Sequence, residues 1–329
     1  GTSALIAAMN AIDVGPGDEV LLPPYTFVAT LNVILLQHAL PVFVDSDRAT
    51  FQMDVRKLEA RTTPQTRAVI QVHLGGATAG LDDSLKFTKS RGLKLIEDAC
   101  QAHLGEWKGK KVGTLGDCGT FSFQASKNLN SGEGGALVTN DEGLFDRAYA
   151  FQGNGRARKV TSATLSGWVM NGATLRLTEF QGALLLAQMT RLEKMLKQIP
   201  GITPQVIDPG CTRNAWHLYM FRYNPAAFSG LPRGDFLKAL REEGVSGMGG
   251  YTPLNKEPFL KEVLGSRHYR KIYGDARLRQ WHEQNQCPEN DTLCSEAVWF
   301  TQDMLLGEAK EMEFIAEAVA KVQKKAPEL

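Results

Sequence analysis

The stretch FSFQASKNLNSGEGGALVTND, residues 121–141, sets one lysine, Lys127, between an apolar Phe-Ser-Phe run and a glycine-rich turn. Two readings compete for it: a solvated loop side chain, or a buried amine that forms an imine with a carbonyl ligand. An amine is a nucleophile only when deprotonated, so the second reading requires a desolvated or electropositive setting. GTFSF supplies an apolar approach to Lys127, and Gly134 and Gly135 allow a tight backbone turn beside a bulky ligand. Both GTFSF and GGALVTN have the composition of short buried strands, so Lys127 stands at a strand end.

The same texture extends outward. EVLLP, PVFVD, AVIQVHL and LKLIEDA are further short apolar runs, and Leu5–Ile12, Leu31–His38 and Asp83–Ser90 between them carry helical spacing. Strands at this spacing predict an α/β fold with a mostly parallel sheet covered on both faces. Polar residues gather at the strand ends, where open α/β sheets hold their ligands. After Gly153 the chain turns polar and irregular, which predicts a long loop. A helix is predicted from Thr178, TEFQGALLLAQMTRLEKMLKQ, ended by Pro200-Gly201. Beyond it the pattern is α+β: a strand in WHLYMFRY, a helix in RGDFLKALREEG and an amphipathic helix in EAKEMEFIAEAVAKVQKKA. The expected division is a large domain at 1–199 and a small one at 200–329.

Composition excludes several classes. With 329 residues, 43% hydrophobic and 22% charged, the chain has an ordinary globular balance. Its 37 basic and 36 acidic side chains give no electrostatic case for nucleic acid or an anionic membrane as partner. No window reaches the apolar length of a membrane span. Five cysteines without a C-x-x-C pair predict reduced thiols and a cytoplasmic protein, although Cys287 and Cys294 flank PENDTL and could pair. The histidines are scattered and no H-E-x-x-H occurs, so no metal is expected. The chain opens directly on a helix cap with no initiator methionine and no signal peptide, which predicts that residues precede Gly1.

Three further segments bear on Lys127. Gly1-Thr2-Ser3 opens a helix, where hydroxyls and free N–H groups make an anion site; taken alone it is a plain N-cap. In LKLIEDACQAH, Asp98 ends an apolar strand, where an unpaired buried carboxylate is costly. It either caps the next helix or meets a cation such as a protonated pyridine nitrogen. In PPYTFVAT, Phe27 is a core residue or a ring that stacks on a flat ligand. Phosphate loop, stacking aromatic, strand-end Asp and strand-end Lys, in that order, are the parts a pyridoxal phosphate (PLP) site requires.

The sequence resembles the DegT/DnrJ/StrS family of PLP-dependent sugar aminotransferases over nearly its whole length. The carriers are GTSAL, GPGDEVLLPPYTFVAT, PVFVD, IEDACQAHLGEWKGKKVGTLGDCGTFSF, SKNLNSGEGGALVTND and RLTEFQGALLLAQMTRLE. The resemblance implies a fold-type I transferase with a seven-stranded-type sheet and a smaller α+β domain. It implies that Lys127 forms the Schiff base and moves the proton, with its pKa drawn toward neutrality by burial and a nearby cation. Asp98 would partner the ring nitrogen, and Gln101 would donate to the phenolic oxygen. Phe27 would stack on the ring, Cys100 would pack near its other face, and Thr2, Ser3 and Ser122 would bind the phosphate. Glu133 matches a position near the substrate. The implied reaction moves an amine from glutamate or glutamine to a nucleotide-linked keto sugar or a cyclitol ketone, in a homodimer.

Departures from the family pattern are also present. An N-terminal arm is expected and does not precede Gly1. The family's N-x-R-M stands here as Thr174-Leu175-Arg176-Leu177, which puts a cross-subunit phosphate contact in question, and the join near Glu193-Lys194 is abridged. Relatives that dehydrate sugars replace the lysine by histidine, which Lys127 argues against; a non-catalytic sensor or scaffold is the other alternative. A nicotinamide enzyme has only GNGRAR, residues 153–158, with two of the three glycines of G-x-G-x-x-G and no clear helix after it. Acceptor choice is expected to lie in the loops Gly155–Ala173 and Met248–Pro258. Arg156, Arg158 and Lys159 either meet a diphosphate there or form a solvated loop.

Overall fold

The computed structural model describes residues 1–159, 167–186, 207–301, 304 and 309–328, with the backbone alone at 309–313. In chain order the first strands are β1 (Glu19–Leu22), β2 (Leu40–Phe43), β3 (Thr66–Val72), β4 (Lys94–Asp98), the two-residue β5 (Glu106–Trp107) and β6 (Lys110–Lys111), β7 (Cys118–Ser122) and β8 (Gly135–Val138). Six of them form one sheet in the order β2-β1-β3-β4-β7-β8, parallel throughout except for the antiparallel β7–β8 pair. Every residue of β1 and β2 is buried, as strands covered on both faces must be. The helices α1 (Thr2–Ala11), α2 (Ala29–Leu36), the short α3 (Leu58–Arg61), α4 (Leu81–Arg91) and α5 (Glu142–Gln152) supply that cover.

Parallel pairing fixes where the polar strand ends meet. Val72 lies opposite Asp98, and Asp98 opposite Thr120, so β3, β4 and β7 finish side by side. The strand ends read from the sequence as ligand-bearing therefore share one edge of the sheet.

The predicted helix from Thr178 is described over 179–186 and labelled α6. Its continuation, the 199/200 division and the Glu193-Lys194 join lie outside the described residues. Further on, β9 (Cys211–Arg213) extends the small β5–β6 sheet, and β10 (Leu218–Arg222) pairs antiparallel with β11 (Ala297–Thr301). Period-two alternation makes that second pair two-faced. Leu218, Met220 and Trp299 join the core of the large sheet. Val298 and Phe300, with Tyr219 and Phe221, pack on a second core built from α7 (Arg233–Glu242) and the C-terminal helix.

Sequence reading left out α8 (Pro258–Leu264), α9 (Arg267–Gln284), α10 (Pro288–Glu296) and β11; α11 (Ala309–Lys325) is the predicted final helix. Although they follow position 200, Leu260, Tyr269, Trp281 and Leu293 belong to the core of the large sheet. Tyr269 and Tyr273 clamp the turn before β2 by donating to the Ala39 carbonyl (2.9 Å) and the His38 carbonyl (2.8 Å). Cys287 and Cys294 do not pair; both are free and buried at α10. Among the described residues no helix is long and apolar enough to cross a membrane.

Candidate active site

At the shared strand edge a cavity of about 680 Å³ opens between the sheet, the first turn of α1, the segment before α2 and the loop around Tyr251. Lys127 enters it from a loop pinned by three backbone bonds: Ala125 N to Gly132 O (2.8 Å), Lys127 N to Gln124 O (2.9 Å) and Ser131 N to Phe123 O (2.9 Å). The side chain is half-buried, and among the described residues no acceptor lies within hydrogen-bond reach of its Nζ. Burial pulls the amine pKa below its ordinary value, while Cys100 and Asp98 push it the other way. Desolvation is the largest cause of that shift.

Asp98 ends β4 on the cavity floor, and both its oxygens are tied. Thr30 Oγ1 donates to Oδ2 (2.9 Å) and the Cys100 N–H to Oδ1 (3.2 Å). Gln101 accepts from the Gly75 N–H through Oε1 (2.8 Å) and donates from Nε2 to the Tyr251 hydroxyl (3.1 Å). Burial raises the Tyr251 hydroxyl to about 12, so it stays protonated. Behind the floor, buried Glu97 accepts from the Gly113, Leu115 and Gly116 N–H groups (2.6–2.8 Å) and meets His73 Nε2 at 2.8 Å. Burial works against the charged form of Glu97, yet these bonds outweigh it and hold the carboxyl below its ordinary range.

The Lys127 loop is latched to the segment leading into β10. Asn128 Nδ2 donates to the Ala215 carbonyl (2.7 Å), which leaves Oδ1 to face His217 Nδ1 at 2.9 Å. The ring proton therefore sits on Nδ1. His217 lines the cavity, and burial, with Lys127 and His103 adding, holds it down to about 3. It is neutral at physiological pH. Gly75 and Gly76 carry the latch onward, accepting from the His217 N–H (2.8 Å) and the Ala215 N–H (2.9 Å). Gly76 has φ +96°, and a Cβ there would lie 2.7 Å from Trp216 N, so glycine is required.

Thr2 and Ser122 line the cavity beside the free N–H groups that open α1. Gly1 packs so tightly there that a Cβ would lie 2.8 Å from Ser122 Cβ and 3.1 Å from Cys100 Sγ. Ser3 instead lines a neighbouring 250 Å³ groove with Ala4, Phe145 and Tyr149. Phe27 stands at the mouth, 55% exposed, and Cys100 and Glu133 line the walls. Arg156 and Arg158 are not among the lining residues: Arg156 lies over Trp168 (5.3 Å) and Arg158 pairs with Asp146 (2.6 Å). Thr174 bridges to Gly153, also away from the cavity.

Sequence reasoning missed Thr30, Asn128, His217, Tyr251 and Trp299. Thr30 and Asn128 lie inside motifs quoted above, and a lone histidine in the apolar run WHLYMF was a usable signal for His217. The donor set fits pyridoxal phosphate: N–H groups and hydroxyls for an anion, an anchored buried carboxylate for a ring N–H, and an unpaired amine for an aldehyde.

The model of the DegT/DnrJ/EryC1/StrS aminotransferase family matches residues 1–271. The L-glutamine:2-deoxy-scyllo-inosose aminotransferase of Streptoalloteichus tenebrarius is 35% identical across 100% of this chain and 82% of its own length. The spore coat polysaccharide biosynthesis protein SpsC of Bacillus subtilis is 37% identical across 80% of this chain and 73% of its own length. Among solved structures, 3-amino-5-hydroxybenzoic acid synthase matches with a TM-score of 0.81 at 28% identity, over 98% of this chain and 85% of that one.

Proposed function

We propose that this chain, which belongs to the DegT/DnrJ/EryC1/StrS aminotransferase family and is a PLP-dependent aminotransferase, moves the amino group of glutamine onto the ketone carbon of a cyclitol. The observation that carries this reading is the convergence of Lys127, Asp98, Gln101 and the start of α1 on one cavity. Pyridoxal phosphate bound there supplies an aldehyde carbon that takes up the amine and a ring that stores the electron pair left when the α-proton departs. Lys127 Nζ, uncharged in a larger share of molecules because burial lowers its pKa, takes that proton and returns it two atoms away. Asp98 accepts from the ring nitrogen and keeps it protonated. Gln101 keeps its second amide N–H for the ring oxygen, and Thr2, Ser122 and the first N–H groups of α1 take the phosphate. His217, being neutral, adds no positive charge beside Lys127.

The acceptor reading rests on charge and on the relatives. Among the described residues, Lys127 is the one lysine or arginine lining the cavity. A nucleotide diphosphate would find no second lysine or arginine side chain among the described lining residues, whereas a cyclitol is an uncharged polyol. The relative named for 2-deoxy-scyllo-inosose spans the whole chain, which favours the same choice. The test is a two-stage assay on PLP-loaded protein: glutamine should convert the cofactor to its amine form, and an inosose-type ketone should convert it back. Return of the aldehyde form with nucleotide keto sugars but not with inososes would overturn the reading.

The active form we infer is a homodimer. Among the described residues no strand pairs with the outer side of β8, and α6, tied to the turn before β8 by Gln181 Nε2 donating to the Glu133 carbonyl (2.7 Å), leaves Phe180 (89%) and Leu186 (69%) exposed. A second copy covering that face should sediment at twice the chain mass, and Phe180→Asp with Leu186→Asp should release the single chain. A wild-type protein that sediments as one chain would refute it. The five cysteines, all free, fit a reducing cytoplasmic compartment.

A further inference from the structure

Gln101 lines the Lys127 cavity with an amide whose orientation its neighbours settle. The Gly75 N–H needs an acceptor, so Oε1 faces it (2.8 Å) and Nε2 faces the Tyr251 hydroxyl (3.1 Å). The first bond alone would leave the amide free to swing. Both together fix its plane and leave one direction for the remaining N–H. The Tyr251 oxygen is the acceptor in this pair, so it anchors the amide without using that second N–H.

Tyr251 is itself firmly held. Its ring stands edge-on to Tyr25 (centroids 5.4 Å apart) and Trp299 (4.6 Å). The chain just before it is clamped by Arg233, whose Nη1 donates to the carbonyls of Gly249 (2.7 Å), Cys294 (2.6 Å) and Ala297 (2.8 Å). Gly250 has φ +82°, and a Cβ there would lie 2.7 Å from the Tyr25 hydroxyl oxygen and 2.9 Å from Ala297 Cβ. Glycine lets the loop sit this close. The loop is thus placed by its own packing, and Gln101 takes its orientation from it.

We propose that Tyr251 is a positioning residue: it aims the second N–H of Gln101 at the ring oxygen of bound pyridoxal phosphate, and so loosens the proton on the nitrogen that joins Lys127 to the cofactor. This rests on the Gln101 assignment in the reading above and adds a residue behind it. An N–H donated to an anionic oxygen spreads its charge, and a less negative oxygen holds a neighbouring proton less tightly. Loss of a well-aimed donor therefore raises the pKa of that nitrogen. The titratable groups beside Lys127 on the described cavity wall are the Gly1 amine, Asp98, Cys100, Glu133, His217 and Tyr251. Tyr251→Phe removes only the last of them.

The visible band of the loaded enzyme reports that proton without turnover. Its titration midpoint should rise by about one pH unit in Gln101→Met and about half a unit in Tyr251→Phe, as losing or loosening one hydrogen bond to a charged oxygen would produce. The double variant should match Gln101→Met alone, because Tyr251 acts through that side chain. A merely structural role for Tyr251 would lower the melting temperature or the cofactor occupancy and leave the midpoint in place. If Gln101→Met raises the midpoint and Tyr251→Phe does not, or if the two shifts add in the double variant, the proposal is overturned and the Gln101 assignment stands. A midpoint unmoved in Gln101→Met defeats that assignment and the proposal with it.

Discussion

Lys127→Ala is expected to lower amine transfer about 10⁴-fold or more, because it removes both the covalent tether and the proton carrier, and general acid–base catalysis alone supplies up to about 10⁴. No other lysine side chain lines the described cavity wall. Borohydride reduction of loaded wild type should add the cofactor mass to the peptide containing Lys127, and the variant should show no adduct. Lys127→Arg keeps a cation and should be equally inactive, which separates chemistry from charge. Folding is not expected to suffer, since Nζ makes no hydrogen bond to the described residues and its desolvation is a cost that alanine removes. The rate of cofactor attachment supplies a pH test. Only the neutral amine attacks, and burial lowers the Lys127 pKa, so attachment should rise with pH through a midpoint below the ordinary lysine value of 10.5. An adduct on another residue, or a variant that still turns over, would falsify the assignment.

The strand ends were legible because a parallel sheet leaves little choice. Short apolar runs at βα spacing fix the register, and register brings Asp98 beside Thr120 and one strand from Val72. A motif on one run then meets a motif on the next without further information. The latch between Asn128 and His217 was not legible, because 89 positions separate its partners and neither has a distinctive local pattern. Tyr251 shows the same limit: it reaches Gln101 from 150 positions away. Helices α8 to α10 were missed because they do not present the simple amphipathic stripe. In α9, over eighteen residues, only Tyr269 and Trp281 are buried, and Gly274 (φ +73°) breaks the helix between them. Burial of Lys127 was not legible either. Desolvation is enough to lower an amine pKa, and a sequence cannot show how much of a side chain is dry.

Asp98→Asn tests whether the buried carboxylate works as an acid–base partner or as a fixed hydrogen-bonding post. The substitution keeps shape and size. Thr30 can still donate to the amide oxygen, and the Cys100 N–H loses at most one weak acceptor at 3.2 Å. What changes is charge: a neutral amide cannot hold a proton on a ring nitrogen, so the ring loses much of its power to store electrons. Turnover is expected to fall about 10³-fold, the upper range for losing one preorganised electrostatic partner. Covalent loading on Lys127 should persist, because it does not need the stored electron pair. The cofactor-free variant should melt close to wild type, since Asp98 forms no ion pair among the described residues and asparagine keeps the bond from Thr30. Thr30→Val adds the control, leaving the charge and removing one donor, with an expected loss of about tenfold. If Asp98→Asn transfers amine at the wild-type rate while Thr30→Val does not, the carboxylate is a structural post and the electron-sink role belongs to another group.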